Sequence, residues 1–347
     1  MRNITYQNKD DVSLLLDTEG GCSVKGLPEN DYFQMPCIGS SRLMDMLVCP
    51  RYFWSGSPWC PEDKRRPMEQ TEAMEFGSAM HKALLEPDDF ENVYRTSPSK
   101  DGCLVTIADL MDYGQQQGVK LPKGTKAELE DIVLQRWPHA PVWSRIIAQF
   151  DEDCEAGNVR KVTPEKLDLM NSMADVLRSE KFTMGDTELP LGQIFSKGEA
   201  EKTFFWRHKK TGLDLMCRVD WMLANIIFEY RTAVDASPRG FSLAARKRNY
   251  QHRAGFYWKI ISEVTGVHPQ YYYMAQEKRS PHLVAMYEEV QDDLASGWAV
   301  CEWCLEQVAE CLAKGDPYDP ANWPTYNNNT VAALELPDFA FQPDGME

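Results

Sequence analysis

The stretch Thr211–Tyr257, TGLDLMCRVDWMLANIIFEYRTAVDASPRGFSLAARKRNYQHRAGFY, decides the fold. Thr211-Gly212 is a turn signal, and Leu213–Met222 follows as a strand carrying Asp220 near its end. A second strand starts at Ile226-Ile227-Phe228 and ends on Glu229-Tyr230-Arg231. A helix with basic and aromatic residues closes the unit. Alternate residues of a strand share a face, so Glu229 and Arg231 point one way and Tyr230 the other. Asp220 comes alongside them from the neighbouring strand. Two carboxylates meeting at strand ends beside a cation suit a hard, oxygen-seeking ion such as Mg2+ or Mn2+. Each acid also has a plainer use, capping a turn or pairing with Arg218 or Arg231.

The rest of the chain bounds this reading. At 347 residues it can bury a large core, as one big domain or two. No run of about 18 apolar residues occurs, so no transmembrane helix is expected. The N-terminus, MRNITYQNKDDVSLLLD, lacks the layout of a signal peptide. Ten scattered cysteines in such a chain read as thiols in a reducing cytoplasm, not as a disulfide framework. A net charge of −16 argues against non-specific coating of nucleic acid, but phosphate contact needs only local positive charge. That charge is clustered at Lys64-Arg65-Arg66, Arg207-His208-Lys209-Lys210, Arg246-Lys247-Arg248 with Arg253, and Lys278-Arg279. Each cluster reads equally well as a solvated turn.

Residues 1–37 read as an N-terminal arm or edge hairpin, and residues 38–347 as the main domain. Ser40-Ser41 caps a helix that Pro50 ends or kinks. A second helix spans Glu72–Glu86, with Gly77 allowing close backbone approach and His81 one turn beyond. Residues 98–199 read as an inserted helical subdomain, with helices at Ile107–Gln117, Lys126–Gln135, Trp143–Asp151 and Pro164–Glu180. Thr125 and Glu128 form a capping box there. Glu201–Trp206, Gln270–Ala275 and His282–Glu289 are further strands, and Asp292–Lys314 is a long amphipathic helix. The run ANWPTYNNN and the acidic tail look irregular. No internal repeat and no P-loop is present, so no nucleotide-driven motor is expected.

The ordered motifs resemble the PD-(D/E)XK nuclease core, and within it the RecE-like group, the exodeoxyribonuclease VIII enzymes of phages and prophages. GSAMHKALLEP (Gly77–Pro87) resembles that family's helix with its metal-binding histidine. AEKTFFW (Ala200–Trp206), the Thr-Gly turn and CRVD resemble its next strands. EYRTAVDAS stands in the place of its D-x-K-T segment, and NYQHRAGFY in that of its Gln/Tyr helix. The likeness covers most of the chain from Ile38 to Tyr326.

This resemblance implies an α/β fold, a restriction-endonuclease-like core of a mixed central sheet flanked by helices, with an inserted helical subdomain. It implies a metal-dependent exodeoxyribonuclease that degrades one strand of linear double-stranded DNA from an end, 5′→3′. The resulting 3′ tail would serve a RecT-like annealing partner. A ring-like homo-oligomer such as a tetramer is implied too. Metal ligands carried over are His81, Asp220, Glu229 and the backbone carbonyl of Tyr230. Glu201 stands where relatives carry an extra acid, and otherwise pairs with Lys202 or Arg207. Tyr257 is retained, and Arg246, Lys247, Arg248 and Arg253 are candidate DNA contacts.

Two positions depart from the pattern. Arg231 replaces a lysine; it keeps the charge but does not readily lose a proton. Arg253 stands where the family has Gln. Both leave open a second class of function, a nuclease-like protein that binds DNA ends or modulates a host nuclease or recombination protein. Cys301-x2-Cys304-x6-Cys311 with Cys49-Pro50-Arg51 has the look of a [4Fe–4S] set. The three late cysteines share one amphipathic helix, however, and buried thiols are the preferred reading.

Overall fold

The computed structural model describes residues 2–6, 20–67 and 71–335. Val12–Leu16 and the acidic tail beyond Glu335 lie outside them. The chain divides into two compact units: Met1–Gln70, Ile194–Ala275 and Ala285–Glu347 form the first, and Thr71–Gln193 with Gln276–Val284 the second.

The first unit is built on a seven-stranded sheet in which spatial order follows chain order: β1 (Arg2–Thr5), β2 (Cys22–Lys25), β3 (Glu199–Arg207), β4 (Asp214–Leu223), β5 (Ile226–Ala233), β6 (Gln270–Glu277) and β7 (Val284–Glu289). β1 and β2 pair parallel, so the edge is not the hairpin that one reading of the N-terminal segment suggests. β2–β3, β3–β4 and β4–β5 are antiparallel, which makes the sheet mixed.

Alternation sorts the side chains of the central strands. On β4, Leu215, Cys217 and Val219 join the main core, with Phe204 of β3 and with Ile260, Ile261, Leu294 and Leu305 of the helices. Met216 turns to the other face and packs with Phe205, Cys22, Val24 and Met35. Asp220 continues that second set in phase, two residues beyond Arg218.

The single closing helix expected after β5 is two, Pro238–Lys247 and Tyr250–Thr265. Asn249 breaks them with φ +56°. Asparagine is one of the few residues that tolerates this left-handed conformation. The Tyr250–Thr265 helix crosses Gln291–Ala313 at backbone contact: a Cβ built on Gly255 would meet Trp298 N at 2.4 Å, and one on Gly297 would meet Gln251 O at 2.2 Å. Cys301, Cys304 and Cys311 are buried along the latter helix, and the Cys301 thiol donates to the His252 carbonyl. No disulfide joins any of the ten cysteines.

The helical segment before Pro50, a short α turn and a 3-10 turn, ends ahead of it as read, and Pro50 then starts a new helix, Pro50–Gly56. The run ANWPTYNNN is less irregular than its composition suggests. Trp323 is fully buried, stacked 5.6 Å from Trp59 and packed 5.7 Å from Phe53, and its indole N–H donates to the Pro317 carbonyl.

The second unit is mainly helical, with helices Glu72–Leu85, Ile107–Gln116, Lys126–Arg136, Trp143–Ala156 and Pro164–Ser179. The capping box at Thr125 and Glu128 forms as read, and a second one forms at Thr106 and Asp109. Leu110, Leu121, Leu129, Val133 and Val142 make a local core. Among the described residues, no helix of either unit is long and apolar enough to cross a membrane.

Candidate metal centre

The site grows from the place where the β4–β5 ladder stops. Backbone pairing runs Leu223↔Ile226, Met222↔Ile227 and Trp221↔Phe228. The next positions in phase are Asp220 and Glu229, and here side chains replace the backbone partners. The Asp220 N–H donates to Glu229 Oε1 at 3.4 Å, and the Tyr230 N–H donates to Asp220 Oδ2 at 2.9 Å. Each carboxylate thereby satisfies a buried amide of the opposite strand, a group that is costly to leave bare.

Arg231 completes the cluster. Its Nη1 donates to Asp220 Oδ2 at 2.9 Å and to the Tyr230 carbonyl at 2.7 Å, and its Nη2 pairs with Glu229 Oε2. The Glu229 side chain is 1% exposed and that of Arg231 18%. The Tyr250 ring lies 5.5 Å from the guanidinium carbon. Burial works against the Arg231 charge, but Glu229 and then Asp220 outweigh it and hold the guanidinium firmly protonated. Burial pushes the Asp220 carboxyl above its usual range, against the pull of Arg231, the Tyr230 N–H and Arg253. One guanidinium facing two buried acids leaves the second acid only partly compensated.

Glu201 falls opposite Asp220, between the pairs Ala200↔Trp221 and Lys202↔Val219. Its φ of +50° is rare for a non-glycine residue and marks local strain in β3. A carboxylate oxygen of Glu201 lies within 4.8 Å of one of Asp220. Of the expected cationic partners, Lys202 pairs with Glu199 at 2.5 Å and Arg207 with Asp214 at 2.7 Å. Arg218 lies 3.8 Å from the Glu201 carboxylate. Arg218 in turn donates to Thr203 and to the Leu27 carbonyl, so it serves β3 and the β2 end rather than Asp220.

An aromatic wall backs the cluster; sequence reading put Tyr257 in the site but missed Tyr271 and Tyr273. Tyr257 is buried, its hydroxyl pushed up by burial and then by the charge of Glu229. The same two causes act on Tyr271. Tyr250 stacks on Tyr273 at 5.8 Å, and Tyr273 donates to the Tyr250 carbonyl. The alternation of QYYYMA, with Tyr271 and Tyr273 on one face, carried the only signal.

The basic candidates divide by what they touch. Arg246, Lys247 and Arg248 are exposed at the end of the Pro238–Lys247 helix. Arg253 lies near enough to Asp220 to lower its pKa, and its buried Nε has no hydrogen-bond partner. The Arg207–Lys210 cluster is instead engaged by acids: Arg207 by Asp214, Lys209 by Glu263, Lys210 by Glu306. His81 is half-buried on the Glu72–Leu85 helix of the second unit, beside the buried Met80 and Leu84.

The donor set suits a divalent ion. Two carboxylates and a backbone carbonyl surround one positive group, with a third carboxylate beside them. These are the hard oxygens that Mg2+ and Mn2+ prefer.

Comparison with known proteins agrees with this architecture. No curated protein matches the chain. A crystal structure from Eubacterium rectale, named a "Putative exonuclease", is similar at 10% identity and a TM-score of 0.35, covering 81% of this chain and 100% of that one. The family described as "PDDEXK-like domain of unknown function (DUF3799)" matches residues 40–322. The chain belongs to that family, within the PD-(D/E)XK nuclease superfamily.

Proposed function

We propose that the protein is a metal-dependent exodeoxyribonuclease, degrading one strand of linear duplex DNA from an end, 5′→3′. The observation that carries this reading is the convergence of Asp220, Glu229 and the Tyr230 carbonyl where β4 and β5 part, with Glu201 across from Asp220. Those residues would hold the ion, with His81 as a further ligand on the strength of its motif. When bound, the ion supplies water activation and neutralises charge on the scissile phosphate and the leaving oxygen. Arg231 and Arg253 supply positive charge for the phosphate, Tyr257 positions groups at the floor of the site, and Arg246, Lys247 and Arg248 grip the backbone. Each phosphate contact of this kind makes affinity fall with salt.

The likeness to RecE-like enzymes supports the finer part: a role in phage recombination in the bacterial cytoplasm, a ring-like homo-oligomer, and a RecT-like annealing partner for the 3′ tails. The test is digestion of 5′- and 3′-labelled linear duplex with Mg2+ or Mn2+. Release of 5′ label first, lost in Asp220→Ala, is the expected result; release that Asp220→Ala retains rejects the site.

A second reading is favoured by one specific observation. Arg231 is bound to both acids and to the Tyr230 carbonyl, which fits a catalytically weakened protein that binds DNA ends or modulates a host nuclease or recombination protein. Arg231→Lys separates the two. A sharp gain in cleavage marks a degenerate site, and unchanged cleavage marks an arginine that already works.

A further inference from the structure

Of the groups proposed to hold the metal, Asp220, Glu229 and the Tyr230 carbonyl are already held by Arg231. Its Nη1 reaches Asp220 Oδ2 at 2.9 Å and the Tyr230 carbonyl at 2.7 Å, while Nη2 takes Glu229 Oε2. Both acids also accept from backbone amides where the two strands part, Asp220 from Tyr230 and Glu229 from Asp220. The guanidinium thus competes with a divalent ion for these three groups.

Resting on the metal-centre reading above, we propose that Arg231 is a built-in occupant of that centre, that a divalent ion enters by exchange with its guanidinium, and that a DNA phosphate drives the exchange by taking the guanidinium away. Charge counting supports the exchange. Two carboxylates with one guanidinium carry −1; two carboxylates with a divalent ion carry zero. The released guanidinium carries +1, and one phosphate of the duplex balances it. A planar guanidinium offers phosphate a matched two-point contact, which a lysine at this position would not. The exposed Arg246-Lys247-Arg248 cluster and the unpartnered Arg253 Nε supply the positive ground that brings a phosphate there.

A shared occupant makes metal and DNA binding interdependent, and such coupling is reciprocal. DNA-free protein binds the ion weakly, and duplex tightens it. Couplings of this kind run from roughly 5- to 150-fold.

The test counts free Mn2+ by electron paramagnetic resonance during titration of the full chain. It is run without DNA and with a short blunt duplex, and Asp220→Ala protein with the same duplex serves as the blank. For the wild type, the Mn2+ Kd is expected to fall at least about 5-fold on adding duplex. Arg231→Gln is expected to bind Mn2+ tightly without DNA and to gain little from duplex. The wild-type comparison needs no variant, so it stands even where Arg231→Gln folds poorly. Equal Mn2+ affinity in wild type with and without duplex overturns the exchange but leaves the metal centre intact. No Mn2+ bound above the Asp220→Ala blank in either state overturns both.

Discussion

The backbone N–H of Tyr230 donates to Asp220 Oδ2 at 2.9 Å, across the point where the β4–β5 ladder ends. Asp220 therefore has a structural task as well as a candidate chemical one. It takes up a mid-strand amide beyond the last β4–β5 backbone pair, and Glu229 does the same for the Asp220 amide. A hairpin that parts here sets two buried acids side by side while keeping these two amides satisfied.

The charge arrangement makes single substitutions unequal. Removing Arg231 leaves two buried acids facing each other without their cation. Arg231→Gln is expected to lower stability by about 3–5 kcal/mol, the usual cost of removing one partner from a buried ion pair. Asp220→Asn leaves Glu229 and Arg231 as a balanced pair and costs much less. Urea unfolding of both variants checks the order, and Mn2+ should return stability to Arg231→Gln alone.

The helix carrying Arg253 and Tyr257 is seated by glycine contact. A Cβ at Gly297 would lie 2.2 Å from Gln251 O, a backbone atom that cannot turn aside. Gly297→Ala is expected to cost at least the roughly 1–3 kcal/mol of an overpacked core. Thermal denaturation reads this directly, and an unchanged Tm would mean the two helices stand further apart.

Trp323→Ala is expected to destabilise the protein by about 3–5 kcal/mol, the range for emptying a buried aromatic site. The stack on Trp59 and the bond to Pro317 both go. The variant should keep its DNA-end and metal binding at temperatures where it stays folded. Calorimetry beside a binding assay separates the two effects.

Glu289, at the end of β7, has its carboxyl pushed up to about 7 by burial and by Asp293. Its unfolded value is about 4.3. In the window between them the folded chain holds a proton that the unfolded chain has lost, so stability contributed by this group falls as pH rises to about 7. Glu289→Gln mimics the protonated form. It should match wild type near pH 4 and melt higher than wild type near pH 8, by thermal scans at both values.

Much of this was legible because it is local. The phase of LMCRVDWML and the placing of EYR put Asp220, Glu229 and Arg231 together before any register was known. Thr125-x2-Glu128 announced its cap in the same way. What stayed hidden depends on partners distant in sequence. Glu201 pairs with Arg218 because β3 and β4 share a register, which neither strand shows alone. The parallel edge of β1 and β2 follows from where β2 docks on β3. Trp323 reaches the core only through Trp59 and Phe53, in a segment whose composition reads as loop. The break at Asn249 had a signal, an asparagine between two basic and aromatic runs, but helical propensity on both sides masked it.

The most direct measurement of the central claim is Mg2+-dependent release of label from linear duplex by wild type beside Asp220→Ala and Glu229→Gln. The account predicts release from the 5′-labelled end by wild type, dependent on added metal, and none from either variant. Equal release by all three proteins, or wild-type release that persists in excess chelator, would contradict it.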